Sequence, residues 1–181
     1  MKYLRYYRTP LRVFGAPVFL HWSFIVAALL ILFLSNDTAR VTLMFVVSYT
    51  LVIFTHEIGH AFIANRLGAE VYSIKIGALH GLCTYEDAGD IWDNTLISWG
   101  GVLAQLAIAL PLTFISWLVG LVNLGVFQIC VVVAGYFSIA WVVINMAPVA
   151  PLDGYLMWRI VPLYISKKKA KDRVKKHLKS L

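Results

Sequence analysis

The sequence predicts an all-α polytopic membrane protein with about four transmembrane helices, a small membrane-associated β-hairpin and a C-terminal basic interfacial segment. Two observations lead to this fold class. Of the 181 residues, 60% are hydrophobic and only 14% are charged, whereas apolar residues make up roughly half of an ordinary globular domain. Long apolar runs are separated by short polar turns, and most basic residues lie at the two ends of the chain.

Length and charge also limit the domain organisation and the class of partner. We expect one integral-membrane domain, residues 1–166, followed by a basic cytoplasmic tail, residues 167–181. Cys83 and Cys130 lack the spacing of a redox pair or a zinc knuckle. A net charge of +7 could indicate nucleic-acid binding, but it is concentrated at the two ends, so we expect no nucleic-acid partner.

The apolar runs predict four spans. A basic arm, residues 1–12, leads into the first span, which is too long for a signal-peptide core and has no small-residue cleavage site before the next turn. Gly68 is expected to end the second span, and the glycines and proline of the third are tolerated in membrane helices. The spans are predicted at 17–34, from 41 to the stop near Gly68, at 96–118, and from the turn at 120–125 to residue 146.

A more polar section separates the second and third spans and predicts a β-hairpin with strands 71–76 and 82–85 around a glycine-containing turn. Segment 155–165 is apolar but too short to span a bilayer, so we expect an interfacial helix or a packed return segment. The lysine-rich stretch 167–179 is expected to contact anionic lipid headgroups. Four acids after the hairpin are expected to be solvated loop charges: Glu86, Asp87, Asp90 and Asp93.

The distribution of Lys and Arg predicts the orientation of the spans. The N-terminal arm and the C-terminal tail hold most of these residues, which places both ends in the cytoplasm and requires an even number of spans. The turns at 36–40 and 120–125 then lie outside, and section 68–94 lies inside. We expect an integral protein of a prokaryotic cytoplasmic membrane.

The most informative motif is His56-Glu57-Ile58-Gly59-His60, which places two imidazoles and a carboxylate inside an apolar run. In a helix, His56 and His60 stand on one face one turn apart, so both can bind a single ion. Glu57 lies beside them and can take a proton from water activated by the metal, as in a zinc-dependent hydrolase. The alternative is a chance match to this short motif.

The predicted topology supplies a third ligand for the two histidines. The second and fourth spans both run from outside to inside, so Asp153 emerges on the same side as the histidines if the stretch from Pro148 to Pro151 folds back. A carboxylate near the bilayer is costly without a partner, and one zinc ion bound by His56, His60 and Asp153 would provide one. Alternatively, Asp153 caps the following helix or faces water at the interface.

Together these residues resemble the site-2 protease family of intramembrane zinc metalloproteases. The resemblance rests on the His-Glu-x-x-His motif and on Asn145-x-x-Pro148-x-x-Pro151-Leu152-Asp153-Gly154, and it covers residues 41–154. Where the family often has Gly-Pro-x-x-Asn, this chain has Gly101-Val102-x-x-Gln105. Tyr155 stands where a second glycine is frequent. We find no PDZ or CBS domain, so regulation would come from a separate protein or from lipid.

The resemblance implies hydrolysis of a peptide bond within or near the single span of another membrane protein. The resemblance also implies that this activity would serve regulated intramembrane proteolysis or the clearance of signal-peptide remnants. Glu57 would be the general base, and Asn145 would donate to the developing oxyanion or would only close the turn before Pro148. His21, on an apolar face, is most simply a packed histidine, with a proton relay or gate as the alternative.

Two further hypotheses concern the substrate and the class of protein. A helical substrate must unwind before cleavage, and the hairpin could hold it along an exposed strand edge, which makes Ile74 and Cys83 substrate-binding residues. The rival to the protease is a non-proteolytic membrane scaffold with a structural zinc. A scaffold would fill the fourth zinc position, for example with His21 or Cys83, and would not need Glu57.

Overall fold

The computed structural model describes residues 6–34, 38–120 and 127–178. Within these ranges three helices are long and apolar enough to cross a membrane: α2 (Ala39–Arg66), α3 (Ile91–Val119) and α4 (Gln128–Asn145). The middle of α4, Val132–Phe137, is a π-helical segment. The remaining helices are α1 (Trp22–Leu34), the short α5 (Gly154–Met157) and the C-terminal α6 (Ile160–Leu178).

A four-stranded sheet lies beside the helices, with the strands in the order β1 (Tyr6–Val13), β2 (Ala16–His21), β3 (Val71–Ile76) and β4 (Gly81–Tyr85). Strands β1 and β2 form one antiparallel hairpin, and β3 and β4 form another. Strands β2 and β3 run parallel and join the two hairpins. The second hairpin is therefore confirmed as predicted, but it is half of a larger sheet.

The predicted first span is not confirmed. Residues 17–34 divide into β2 and the 13-residue helix α1, which is about 20 Å long and shorter than a bilayer core of roughly 30 Å. Val18 is 1% exposed and pairs with Ile74 of β3, so its apolar character serves the sheet. A hydropathy window cannot distinguish such a strand from the start of a membrane helix.

A further correction concerns the start of the third predicted span. Helix α3 begins five residues before the predicted Leu96, because the Asp90 carboxylate accepts a hydrogen bond from the backbone N–H of Trp92 at 2.9 Å. Asp90 is thus a helix cap and not a free loop charge. Helix α6 extends across residue 166, and the division of the chain into two domains at that residue stays a prediction. Parts of four predicted segments lie outside the described residues: residues 1–5 of the basic arm, 36–37 and 121–125 of the two turns, and 179–181 of the tail.

Helices α2 and α3 form the most extensive helix pair, and two glycines permit their close approach. Helix α2 ends before Gly68, which has the positive φ of +84° expected of the stop. A Cβ at Gly59 would overlap the backbone oxygen of Gly100, and a Cβ at Gly100 would overlap the oxygen of Gly59. This contact brings the His-Glu-x-x-His face of α2 directly against α3.

Candidate metal centre and active site

His56, His60 and Asp153 converge on one point, as the sequence predicts. His56 Nε2 lies 3.1 Å from His60 Nε2 and 2.9 Å from Asp153 Oδ2, and His60 Nε2 lies 3.3 Å from the same oxygen. Both histidines are more than 90% buried, and Asp153 is partly buried. Among the described residues, these three form the group of side chains able to hold a metal ion.

Asp153 reaches the histidines because the chain folds back after α4. The segment that follows Asn145 makes two successive turns, with hydrogen bonds from the backbone N–H of Val149 to the Ala147 carbonyl and from that of Leu152 to the Val149 carbonyl. The side chain of Asp153 makes no capping hydrogen bond to helix α5. The helix-capping alternative is therefore wrong, and the carboxylate points at the histidines instead.

Hydrogen bonds behind the rings fix the tautomer of both histidines. Gln105 must donate its amide N–H groups to the Ser138 carbonyl, 3.3 Å away, and to the Ser138 hydroxyl at 2.8 Å. Its Oε1 therefore faces His56 Nδ1, which donates at 3.0 Å. His60 Nδ1 donates to the Ile97 carbonyl at 2.8 Å. Each neutral ring is thus left with an unprotonated Nε2 pointing into the centre.

This donor set fits a zinc ion. Two imidazole lone pairs and a carboxylate oxygen, about 3 Å apart, repel one another unless a metal ion or a proton lies between them. Asn145 donates one amide N–H toward the cluster, which cannot satisfy all three atoms. Tetrahedral zinc with bonds of about 2.0–2.1 Å separates its ligand atoms by about 3.3 Å, close to the observed spacing.

Gly101 of α3 provides the space for the two rings. A Cβ at this position would overlap His60 Nε2 and would lie 2.8 Å from His56 Cε1. Real Cβ contacts of that length essentially do not occur, and the rings are held by hydrogen bonds and cannot retreat. A glycine is therefore required at position 101 for the two histidine rings to fit at the metal centre.

Glu57 lies beside the cluster, between α2 and the edge strand β4. The side chain is 4% exposed, and its carboxylate faces the backbone N–H of Cys83. A Cβ at Gly81 would overlap Glu57 Cγ, so the absence of a side chain there lets β4 lie against the carboxylate. Glu57 and the three clustered residues line one cavity of about 640 Å³. Its walls also include Tyr49, Val52, Leu79, Phe137, Trp141 and Leu156.

Asn145 lies at the end of α4 and at the edge of the metal cluster. Its Nδ2 is 3.1 Å from His56 Nε2 and 3.2 Å from Asp153 Oδ2. The side chain points into the cavity and makes no turn-closing hydrogen bond to Pro148 or its neighbours. This placement favours the donor role over the purely structural one.

The two predicted substrate-binding residues have different surroundings. Ile74 is fully buried, and its strand pairs with β2 on one side and β4 on the other, so Ile74 cannot act at an exposed edge. Cys83 lies on β4, the edge strand, and lines the cavity. Burial, and then the nearby Glu57 carboxylate, raise the pKa of Cys83 to about 12, so the thiol is neutral at physiological pH.

Sequence reasoning missed Gln105, Gly101 and Gly81. Gln105 stands where the family often has asparagine, and the shared amide was the available signal for a hydrogen bond to a ligand histidine. For Gly101 the signal was the glycine that begins the same family pattern. No sequence signal identifies Gly81, because its importance depends on the Glu57 side chain that lies against it.

The hydrogen bonds behind the rings generate a prediction for Gln105→Leu. The variant removes the acceptor for His56 Nδ1, and we expect zinc affinity to fall by about 10- to 100-fold. Competition with a chelator of known affinity measures the change. Gln105→Glu, which keeps an oxygen acceptor, serves as the matched control and should bind more tightly than Gln105→Leu. Equal affinity in wild type and Gln105→Leu would show that the ring orientation does not depend on this residue.

Comparisons with known proteins agree with this geometry. No family model matches the chain. A provisionally named zinc metalloprotease of Synechocystis sp. is 28% identical over 114 residues, or 60% of this chain, and the chain spans only 30% of the length of that relative. The site-2 protease from Methanocaldococcus jannaschii superposes with a TM-score of 0.65 and 21% identity, covering 90% of this chain and 73% of that one. The predicted resemblance to the site-2 protease family is therefore confirmed at the level of the fold.

Proposed function

We propose that the protein is a zinc-dependent intramembrane endopeptidase that cleaves a transmembrane or membrane-proximal segment of another membrane protein. The observation that carries this proposal is the convergence of His56, His60 and Asp153 beside Glu57 in a cavity of about 640 Å³. Two of the helices that build the cavity, α2 and α4, are long and apolar enough to cross a membrane. The names of the two similar proteins, a zinc metalloprotease and a site-2 protease, support the same activity.

One zinc ion per chain would be held by His56, His60 and Asp153. When bound, it supplies Lewis acidity that polarises a carbonyl and acidifies water. Glu57 accepts a proton from the attacking water and returns it to the leaving amine. Its burial between α2 and β4 keeps the carboxylate in one place beside the cluster, which suits a group that must transfer a proton twice.

Asn145 acts as a donor to the oxyanion that develops on the scissile carbonyl. Its amide already points at the cluster, about 3 Å from two of the three ligand atoms, so it needs little movement to reach a carbonyl oxygen placed there. A donor fixed before the reaction stabilises developing charge without the cost of reorientation.

The substrate is held in an extended form along β4. A helical peptide bond is not open to attack, because the helix occupies its carbonyl, so a transmembrane segment must unwind first. Strand β4 is an edge of the sheet, it borders the cavity, and the N–H of Cys83 faces Glu57. Main-chain pairing with this edge would place an unwound segment beside the general base. Apolar walls such as Phe137 and Trp141 suit the side chains of such a segment.

The protein resides in a prokaryotic cytoplasmic membrane, with the site toward the cytoplasmic side and both termini in the cytoplasm. The charge distribution supports this orientation, since basic residues are concentrated in the N-terminal arm and in α6. Because three helices are long enough to span, this arrangement requires the short α1 to make a fourth crossing while β2 stays in the sheet. The lysines of α6 contact anionic headgroups. Access to the site is regulated by a separate protein or by the lipid.

A structural zinc in a scaffold protein explains the site less well. Among the described residues neither His21 nor Cys83 joins the ligand group, so the scaffold's expected fourth ligand is not in place. His21 is bound instead to Ser23, on the other side of the β3–β4 turn from the metal cluster. Glu57, which a structural site does not use, is buried beside the cluster.

Glu57→Gln tests the protease directly. In cells that co-express single-span membrane proteins, wild type should release fragments, and Glu57→Gln should release none while still binding zinc, because the ligands are unchanged. Immunoblotting for the fragments and metal analysis of the purified proteins provide the two readouts. Glu86→Gln, an exposed glutamate beyond β4, is the control and should behave as wild type. Identical fragments from wild type and Glu57→Gln would exclude the proposed function.

Cys83→Pro tests the role of the strand edge. Proline removes the backbone N–H that faces Glu57, and we expect a loss of cleavage of at least about tenfold with zinc still bound. Cys83→Ala keeps the backbone donor and should retain activity, which separates the edge from the thiol. Full activity of Cys83→Pro would exclude substrate binding along the edge of β4, and it would not contradict the proposed zinc chemistry.

A further inference from the structure

The turn between β3 and β4, residues 77–80, is clamped by side chains from two helices. Within the turn the backbone N–H of Gly77 donates to the His80 carbonyl at 3.0 Å. The carbonyl of Ala78 accepts a hydrogen bond from the Tyr49 hydroxyl of α2 at 2.9 Å, and the N–H of Ala78 donates to Ser23 Oγ of α1 at 3.4 Å. Both backbone polar groups of a single turn residue are thus bound from outside the sheet.

His21 orients the serine in this clamp. The backbone N–H of Ser23 can only donate, and it contacts His21 Nδ1 at 3.3 Å, so Nδ1 is an acceptor. The hydroxyl of Ser23, 2.6 Å from the same nitrogen, therefore donates its proton to the ring and turns its lone pairs toward Ala78. The ring of Tyr6 packs edge-on against His21 at 4.8 Å between centroids and supports its orientation.

The clamped turn leads directly into the site. Leu79 and His80 line the cavity, and the next residue, Gly81, contacts the side chain of Glu57. A displacement of Ala78 would therefore move the start of β4 relative to both Glu57 and the metal cluster. The clamp acts at the one connection that joins the central strand β3 to the edge strand β4.

We propose that Ser23, oriented by His21, is a positioning residue that fixes the β3–β4 turn so that the β4 edge can receive an extended substrate segment. This inference rests on the proposed protease function and assigns a part of the substrate-binding geometry to the start of α1. His21 acts through Ser23 and is neither a metal ligand nor a proton relay.

Ser23→Ala provides the test, with Ser23→Thr as the matched variant that keeps the hydroxyl. The assay uses a synthetic single-span peptide with a fluorophore and a quencher, reconstituted with the purified enzyme in lipid bicelles. Ser23→Ala should raise KM by about three- to tenfold and change kcat less, with zinc content equal to wild type. Ser23→Thr should restore the wild-type KM. His21→Asn, which offers an oxygen acceptor near the Nδ1 position, should be milder than His21→Leu.

Hydrogen exchange of the peptide that covers residues 76–81 gives a second readout that does not depend on activity. Faster exchange in Ser23→Ala than in Ser23→Thr, together with the raised KM, supports the proposal. Unchanged exchange overturns the clamp, and faster exchange with an unchanged KM overturns its role in substrate binding. If wild type shows no Glu57-dependent cleavage, the proposed function fails and the positioning role fails with it, whereas the exchange data still decide whether the clamp exists.

Discussion

The mutual repulsion of three closely spaced ligand atoms at the metal centre governs how the surrounding helices and strands are arranged. His56 Nε2, His60 Nε2 and an oxygen of Asp153 face one another at about 3 Å, with both rings buried and the carboxylate partly exposed to the cavity. Such an arrangement is stable only if a metal ion or a proton lies between these atoms and if the surrounding groups prevent the rings from turning away. Gln105 and the Ile97 carbonyl hold the rings from behind, and each forces the tautomer that leaves Nε2 free.

The same constraint explains the packing of the helices. The α2–α3 pair must be close enough for Gln105 to reach His56, and the mutual contact of Gly59 and Gly100 permits that distance. Gly101, one residue further along α3, leaves the space that the rings occupy. On the opposite side the sheet supplies an edge strand that rests on Glu57 at Gly81. One side of the centre therefore fixes the metal ligands, and the other side presents the general base and a strand edge.

The site could be predicted from the sequence more completely than the fold. The spacing of His56 and His60 is a property of any helix, and the prolines before Asp153 exclude a helical continuation, so both signals are local. The prediction of a first span at 17–34 was not confirmed, because its first residues form the apolar strand β2. Hydropathy does not distinguish such a strand, which pairs with β1 and β3, from the start of a membrane helix. The prediction of Ile74 as an edge residue was wrong because β3 pairs with β2, whose residues lie 56 positions earlier in the chain, and no local pattern reveals such a pairing.

X-ray absorption at the zinc edge of the purified protein distinguishes a hydrolytic centre from a structural one, because it reports the atoms bound to the metal. We expect two imidazole nitrogens and two oxygens around zinc, one oxygen from Asp153 and one from water. A sulfur atom at about 2.3 Å would contradict it, since Cys83 would then close the fourth position and the centre would be structural. A third imidazole in place of the water would contradict it in the same way.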